Sequence, residues 1–499
     1  MTSQRRAGVV LGYANIIVKN LVNLVYTPML LSFVGQADYG VYQTSNSFVF
    51  SLSLLSFGFS QAYVRFYTQK KAHGEDVRGL NGVYLVLYAA VSVAAFLLGL
   101  GFAASAGTLF SASFTPEEVG LARTVMAVMA GSIAVTLFNS VFDAYVLAHE
   151  EFRFQQSRQM LTTLATPFCA YALLCMGFGV VGVAVAQLAV NVVLLVLNAS
   201  FCLGRLKMRF DVRRFDAALF RAIAAFSAWI FANQVCDLVN QNVPNVLLGA
   251  LTSASAVAVF AVSVQIRSVF YSLSTTMSSV FTPKINRIVA ESDDNAELTR
   301  LMTRVGRYQM VLFCWVYGGF AILGRFFIER WAGAGFADAY WLVLAMTAPL
   351  VIPLTQNTGI EIQRAKNMHR PRSVAMLIGA VFNIVITLVA SPLIGYWAPA
   401  IGYIACIALC NGAFMNWYYQ KRVGLDMLFF WRRNLPVLLA GVAATAACLA
   451  GTAALPVGGW LAFFGWGAAY SVLFAAALWL AVFTKEERSA VTSRLPFLR

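Results

Sequence analysis

Three ionisable side chains stand near the middle of long apolar segments: Lys19, Asp237 and Arg267. Carrying a charge to the centre of a bilayer costs at least about 2.5–3.5 kcal/mol on insertion scales, so such residues are rare and face a polar interior. Two of the three are cations. The pattern is that of a membrane bundle around a water-accessible, partly cationic cavity. That chemistry suits an anionic head group.

Polar side chains extend each of these positions along a helix face. Asn15, Lys19 and Asn23 are spaced i, i+4, i+8 and form one stripe. Asn233, Asp237, Asn240 and Gln241 share a face of a second segment, which Pro244 continues. Gln265, Arg267, Tyr271 and Thr275 mark a third, and Arg65 closes the segment after the first. Two cations on different segments could clamp phosphate oxygens, Arg through paired hydrogen bonds and Lys as a point charge. The substrate-binding candidates are therefore Lys19, Arg267, Asn15, Asn23, Asn233, Asn240, Gln241 and Arg65. Asp237, Asp143 and Glu361 are the acids in or near apolar segments and are the candidates for coupling to a proton or sodium ion.

Each candidate also has a plainer reading. Lys19 and Asp237 can neutralise each other as a structural pair. Arg267 can bond helix carbonyls or Asp237. Asp143 can cap its helix or pair with a loop Arg, and Glu361 can form an interfacial pair with Arg364. Arg65 can be placed by topology alone. The Asn side chains can simply bind neighbouring helices.

The elements that must position these residues are transmembrane helices. The 499-residue chain is 60% hydrophobic and 11% charged, against about 25% charged in a soluble domain. Fourteen apolar segments follow one another at 7–34, 41–64, 80–106, 121–148, 160–178, 180–204, 222–250, 256–282, 305–327, 339–363, 373–394, 398–420, 435–455 and 459–483. The run Ala7–Phe33 is too long for a cleaved leader and reads as the first spanning helix. No polar block reaches the roughly 50 residues of a separate globular domain.

Placing both termini in the cytoplasm puts 31 of the 36 Lys and Arg in cytoplasmic segments and only Arg123, Arg325 and Arg330 outside. This is the positive-inside pattern. It explains the net charge of +15 without a nucleic-acid partner. The longest outer loops, Ser111–Gly120 and Ile328–Asp338, are short and carry no histidine, which argues against a polymerase or glycosyltransferase. The eight cysteines lie in apolar segments without a CxxC pair, and no His/Cys/carboxylate cluster suggests a metal site. No cofactor is expected.

The chain also repeats itself. Leu21-Val22-Asn23 returns as Leu238-Val239-Asn240, and Leu30-Leu31 returns at the same offset as Leu247-Leu248. Pro28 and Pro244 fall within one position of each other in the two copies, and both are expected to interrupt their helices. Six segments separate the copies, so both halves share one orientation. The expected organisation is 1–204 as a first six-helix lobe, 205–221 as a basic linker and 222–420 as a second lobe. It continues with 421–434 as a cytoplasmic loop, 435–484 as two further helices and 485–499 as a tail.

These residues carry a resemblance. Pro28, the Gly35–Tyr39–Gly40 turn, Phe57-Gly58-Phe59 and the exit Arg65-Phe66-Tyr67 are similar to the opening of the polysaccharide transporter family, the O-antigen flippases of the MOP superfamily. The stretch 215–235 and the Pro283 exit are similar as well, so the resemblance spans about residues 7–434. It implies an all-α membrane protein of two facing lobes in a V, as in MATE transporters and the lipid II flippase. The implied cargo is an undecaprenyl-pyrophosphate-linked oligosaccharide for O-antigen, capsule or exopolysaccharide. Alternating access would carry it from the cytoplasmic to the periplasmic leaflet of the inner membrane. Membrane lipids and a polysaccharide polymerase or chain-length complex are implied partners. The alternative within the superfamily is a multidrug antiporter, whose cationic cargo the two midspan cations disfavour.

Overall fold

The computed structural model describes residues 3–211, 242–279, 281–368 and 370–483, with the single positions 221, 223, 227, 231 and 488. Among the described residues the chain is helical throughout and has no strand. Eleven segments among the described residues are long and apolar enough to span a membrane. Twelve of the fourteen expected segments overlap these eleven, the first two running together in Ala14–Ala72. The expected segment 160–178 belongs to the helix Phe152–Cys175, whose first turns carry Gln155, Gln156, Arg158 and Gln159 and lower its hydropathy. The segment 222–250 lies largely outside the described residues.

The helices that matter below are α1 (Ser3–Phe50), α2 (Phe59–Ala72), α3 (Arg78–Ala104), α4 (Pro116–Ala148), α5 (Phe152–Cys175), α6 (Gly179–Ser200) and α7 (Val243–Leu251). They continue with α8 (Ala254–Ser279), α9 (Thr282–Glu291), α10 (Asn295–Trp331), α11 (Ala337–Thr347), α12 (Asn357–Ala365), α13 (Arg370–Ile394), α14 (Trp397–Cys406), α15 (Met427–Ala454) and α16 (Trp460–Ala477).

Local chemistry sets several ends. Thr115 and Glu118 cap α4 reciprocally: the Glu118 amide donates to the Thr115 hydroxyl at 3.3 Å and the Thr115 amide to the Glu118 carboxylate at 2.9 Å. Pro116 fills the first helical position, where a missing N–H costs nothing. Asp294 and Asp426 cap α10 and α15 more simply, each accepting one amide, from Ala296 and Phe429.

The bend in α1 corrects an expectation. The helix runs through Pro28, and the non-helical residue is Gly35, at φ 77° and ψ 178°. A proline in a helix removes one hydrogen bond and leaves the turn helical, whereas this φ is open only to glycine at low cost. Pro244 behaves differently. It lies in the first turn of α7, where proline is well tolerated.

The chain divides into two compact units. The first comprises Met1–Ala261 with Thr387–Tyr396, and the second Val262–Ile386 with Trp397–Arg499. In the first unit, α3 and α6 pack on α4, and α5 packs on α1 and α6. One core gathers Val49, Leu52, Phe110, Val125 and Met126; another stacks Tyr63, Tyr67, Tyr84, Tyr88 and Tyr145. Within this core Tyr63 donates to Asn81 at 2.6 Å and Tyr88 is bonded to Ser60 at 2.8 Å, while the Tyr84 hydroxyl is buried without a partner. In the second unit, α10 lies along α15 and α16, and a core of Ile285, Leu298, Met302, Ile362, Tyr419 and Phe430 closes one end.

Lipid gives helices no hydrophobic reason to associate, so close approach of small residues does much of the packing. Gly40 shows this. A methyl group on it would collide with the backbone carbonyl of Ala254. Many large apolar side chains point outward instead, among them Val389, Leu393, Leu461 and Leu480. Such a surface is stable only against hydrocarbon.

Candidate functional site

The residues of the α1 stripe have different fates. Asn15 is buried and donates to the Gln156 carbonyl at 2.8 Å and to its side-chain oxygen at 2.9 Å, which ties α1 to α5. Lys19, one turn on, is exposed and makes no ion pair with a described carboxylate. Asn23 is half-buried, and Arg65 is exposed on α2. Asn233, Asp237, Asn240 and Gln241 lie outside the described residues.

Asp143 sits in a polar network within the first unit. Arg158 on α5 pairs with it directly. The Asn139 amide donates to its other oxygen at 3.2 Å, and Asn198 on α6 donates at 2.7 Å both to Asp143 and to Asn139. Nearby, Asn191 donates to Ser132 at 2.8 Å. The expected pairing of Asp143 with an arginine is present, and that arginine, between the expected segments, lies in the first turns of α5. The signal for this network is present in the sequence: Asn139 and Asp143 are i, i+4 on α4, while Asn191 and Asn198 are i, i+7 on α6.

In the second unit Arg267 is buried, only 8% exposed, near the middle of α8. Its guanidinium lies over the Tyr403 ring at 4.0 Å, and Nη1 reaches the Met346 sulfur at 3.6 Å. No described carboxylate pairs with it. Stacking occupies the flat face of a guanidinium and leaves its N–H edges for acceptors. A thioether is a weak acceptor. The cation is thus held in place by α11 and α14 without being neutralised by them.

The Tyr403 hydroxyl meets that of Tyr271 at 3.2 Å, and Tyr271 lines a cavity of about 500 Å³ in the same unit. Glu361 is also on its wall. Arg364 donates to one Glu361 oxygen at 2.7 Å and Thr282 to the other at 3.5 Å. Glu361 is therefore occupied by its i+3 neighbour. Arg372, on the same wall, is absent from the candidates drawn from the sequence, where it reads as one more cation at an inner helix end. Among the described residues no group of three or more His, Cys, Asp or Glu side chains could hold a metal ion.

The relatives agree with this frame. The family described as polysaccharide biosynthesis protein matches residues 29–341, more than half of the chain. The uncharacterized membrane protein EpsK of Bacillus subtilis (strain 168) is 24% identical over 481 residues, covering 94% of this chain and 93% of the relative. Among solved structures, the lipid II flippase MurJ in its inward closed conformation aligns over 99% of both chains with a TM-score of 0.75 at 13% identity. An inward-facing multidrug resistance MATE family transporter aligns over 84% of this chain and 98% of its own, with a TM-score of 0.64 at 15% identity. At these identities the structures speak for the fold. The family match covers more than half of the chain, and with the helical, apolar-surfaced fold shared with these membrane proteins the chain belongs to the polysaccharide biosynthesis protein family.

Proposed function

We propose that this protein is a flippase that moves an undecaprenyl-pyrophosphate-linked oligosaccharide from the cytoplasmic to the periplasmic leaflet of the inner membrane. Alternating access of two six-helix lobes would drive it. The observation that carries the reading is Arg267. A buried midspan cation with no described counter-charge is costly unless it meets an anion during the working cycle. A pyrophosphate joined to sugars is such an anion, and a guanidinium fork whose described side-chain acceptor is only a thioether suits its paired oxygens. Lys19, exposed on α1 near the middle of an apolar segment, would add a second point of attraction. Family membership supplies the oligosaccharide context.

A multidrug antiporter reading shares the fold but not the charge, since cationic cargo would be repelled by Arg267. A polymerase or transferase would need outward loops bearing acid–base groups, and the outer segments are short. Ion coupling stays with Asp237, Asp143 and Glu361 as candidates. The two described acids, Asp143 and Glu361, are each held by an arginine, which an approaching anion could compete for.

The test is complementation of surface-polysaccharide production in a flippase-deficient strain, with membrane protein quantified alongside. Arg267→Ala should lose most activity while the protein persists, because removing a cation that has no described counter-ion leaves no carboxylate stranded. Arg267→Lys should retain part of the activity. Normal complementation by Arg267→Ala would refute a head-group role, and disappearance of the protein would make the residue structural.

A further inference from the structure

We propose that the second unit contains a phosphate-ester site in the cavity bounded by α8, α12 and α13, centred on Arg372. Its volume of about 500 Å³ is that of a small-molecule site, roughly 300–1,000 Å³. The wall carries two guanidiniums, Arg364 and Arg372, against one carboxylate, Glu361. Glu361 is already engaged by Arg364 and Thr282. Arg372 differs: its Nε is buried without a hydrogen-bond partner, and no described carboxylate pairs with its guanidinium. Leaving a charged donor buried and unsatisfied is costly, and such groups call for a specific explanation.

An anion supplied from outside the chain provides one. The guanidinium fork matches phosphate oxygens in a way a lysine would not. The net positive wall selects an anion over a zwitterion or a cation. Asn357 and Asn411 on the same wall supply amides for hydroxyl groups attached to the phosphate. The chemistry is therefore a phosphate ester carrying a small hydroxylated group. It can come from the bilayer as an anionic lipid head group or from water as a free phosphate ester. Arg267 does not line this cavity, and the site does not depend on what the transporter carries.

Glycerol phosphate presents the same chemistry from both sources. The full-length protein in detergent is titrated with free sn-glycerol 3-phosphate. In parallel it is placed in nanodiscs with increasing phosphatidylglycerol in a phosphatidylcholine background. Thermal unfolding is the readout. The unfolding temperature should rise with ligand in at least one arm, and the responding arm identifies the source. Arg372→Gln should shift that dependence to about ten- to a hundredfold more ligand, the effect of losing a charge-assisted hydrogen-bond pair. Arg364→Gln, whose side chain is 63% exposed, should shift it in the same direction, and it decides the question alone if Arg372→Gln does not accumulate. Arg432→Gln, on an exposed face away from the cavity, should respond as wild type. No rise in either arm would overturn the site. So would wild-type responses from whichever of the two cavity variants accumulate, and these outcomes leave the flippase reading untouched.

Discussion

A guanidinium resting on a phenol ring at 4.0 Å and a carboxylate gripped by an arginine and two asparagines illustrate two ways of keeping charge inside a membrane. Arg267 is held by polarisable groups that do not cancel it. Asp143 is cancelled and fully bonded. The second arrangement makes a stability prediction. Arg158→Gln leaves the Asp143 carboxylate with amide donors only. Breaking a fully buried pair costs about 3–5 kcal/mol, while exposed pairs are worth about 0–1 kcal/mol. Asp143 is 37% exposed, so about 1–3 kcal/mol is expected. Asp143→Asn combined with Arg158→Gln should cost less than the sum of the single changes. Thermal unfolding of the four proteins in detergent measures this coupling, and simple additivity would show that the pair contributes nothing.

At the scale of elements, the contact between α1 and the start of α8 depends on one missing methyl. Gly40→Ala places a Cβ against the Ala254 carbonyl, which is backbone and cannot rotate away. Overpacking of this kind costs about 1–3 kcal/mol. Gly120 lies in α4 with nothing within 4 Å of its added Cβ, so Gly120→Ala should be neutral or stabilise by up to about 1 kcal/mol through helix propensity. Comparing the unfolding temperatures of the two variants separates close packing from a general glycine effect. Equal responses would mean the helices simply move apart. The Tyr39-Gly40 motif was visible in the sequence, but the carbonyl it accommodates was not, because periodicity gives a residue's face and not its neighbour. The same limit explains Asn15. Its i, i+4 spacing to Lys19 gives a shared helix face, yet its amide is spent on Gln156 of α5. Helix content was plain from hydropathy. So was a turn at Gly35, where the first expected segment ends; the continuity of the helix through Pro28 was not, because proline is the commoner breaker. Arg372 was overlooked because a cation at an inner helix end satisfies topology whatever else it does. Only the burial of its Nε beside a cavity distinguishes it.

At the scale of the whole molecule, the charge distribution makes a topological prediction. Both termini and the loops around Lys70, Arg209, Glu291 and Arg370 should be cytoplasmic, since cytoplasmic loops retain Lys and Arg. Single cysteines in these loops, introduced into an otherwise cysteine-free chain, should resist impermeant thiol reagents in intact spheroplasts and react after lysis. Labelling of the Glu291 loop from outside would invert the arrangement. The proposed function rests on a cation near the middle of the membrane meeting an anionic lipid-linked sugar. The most direct measurement is transport by the purified protein in liposomes containing a short-chain polyprenyl-pyrophosphate oligosaccharide, with head-group exposure in the outer leaflet followed by an impermeant sugar-modifying enzyme. Wild-type protein should speed equilibration of the head group between leaflets well beyond protein-free liposomes, and Arg267→Ala should abolish most of that gain. Equilibration no faster than in protein-free liposomes, or an equal rate with Arg267→Ala, would contradict the account.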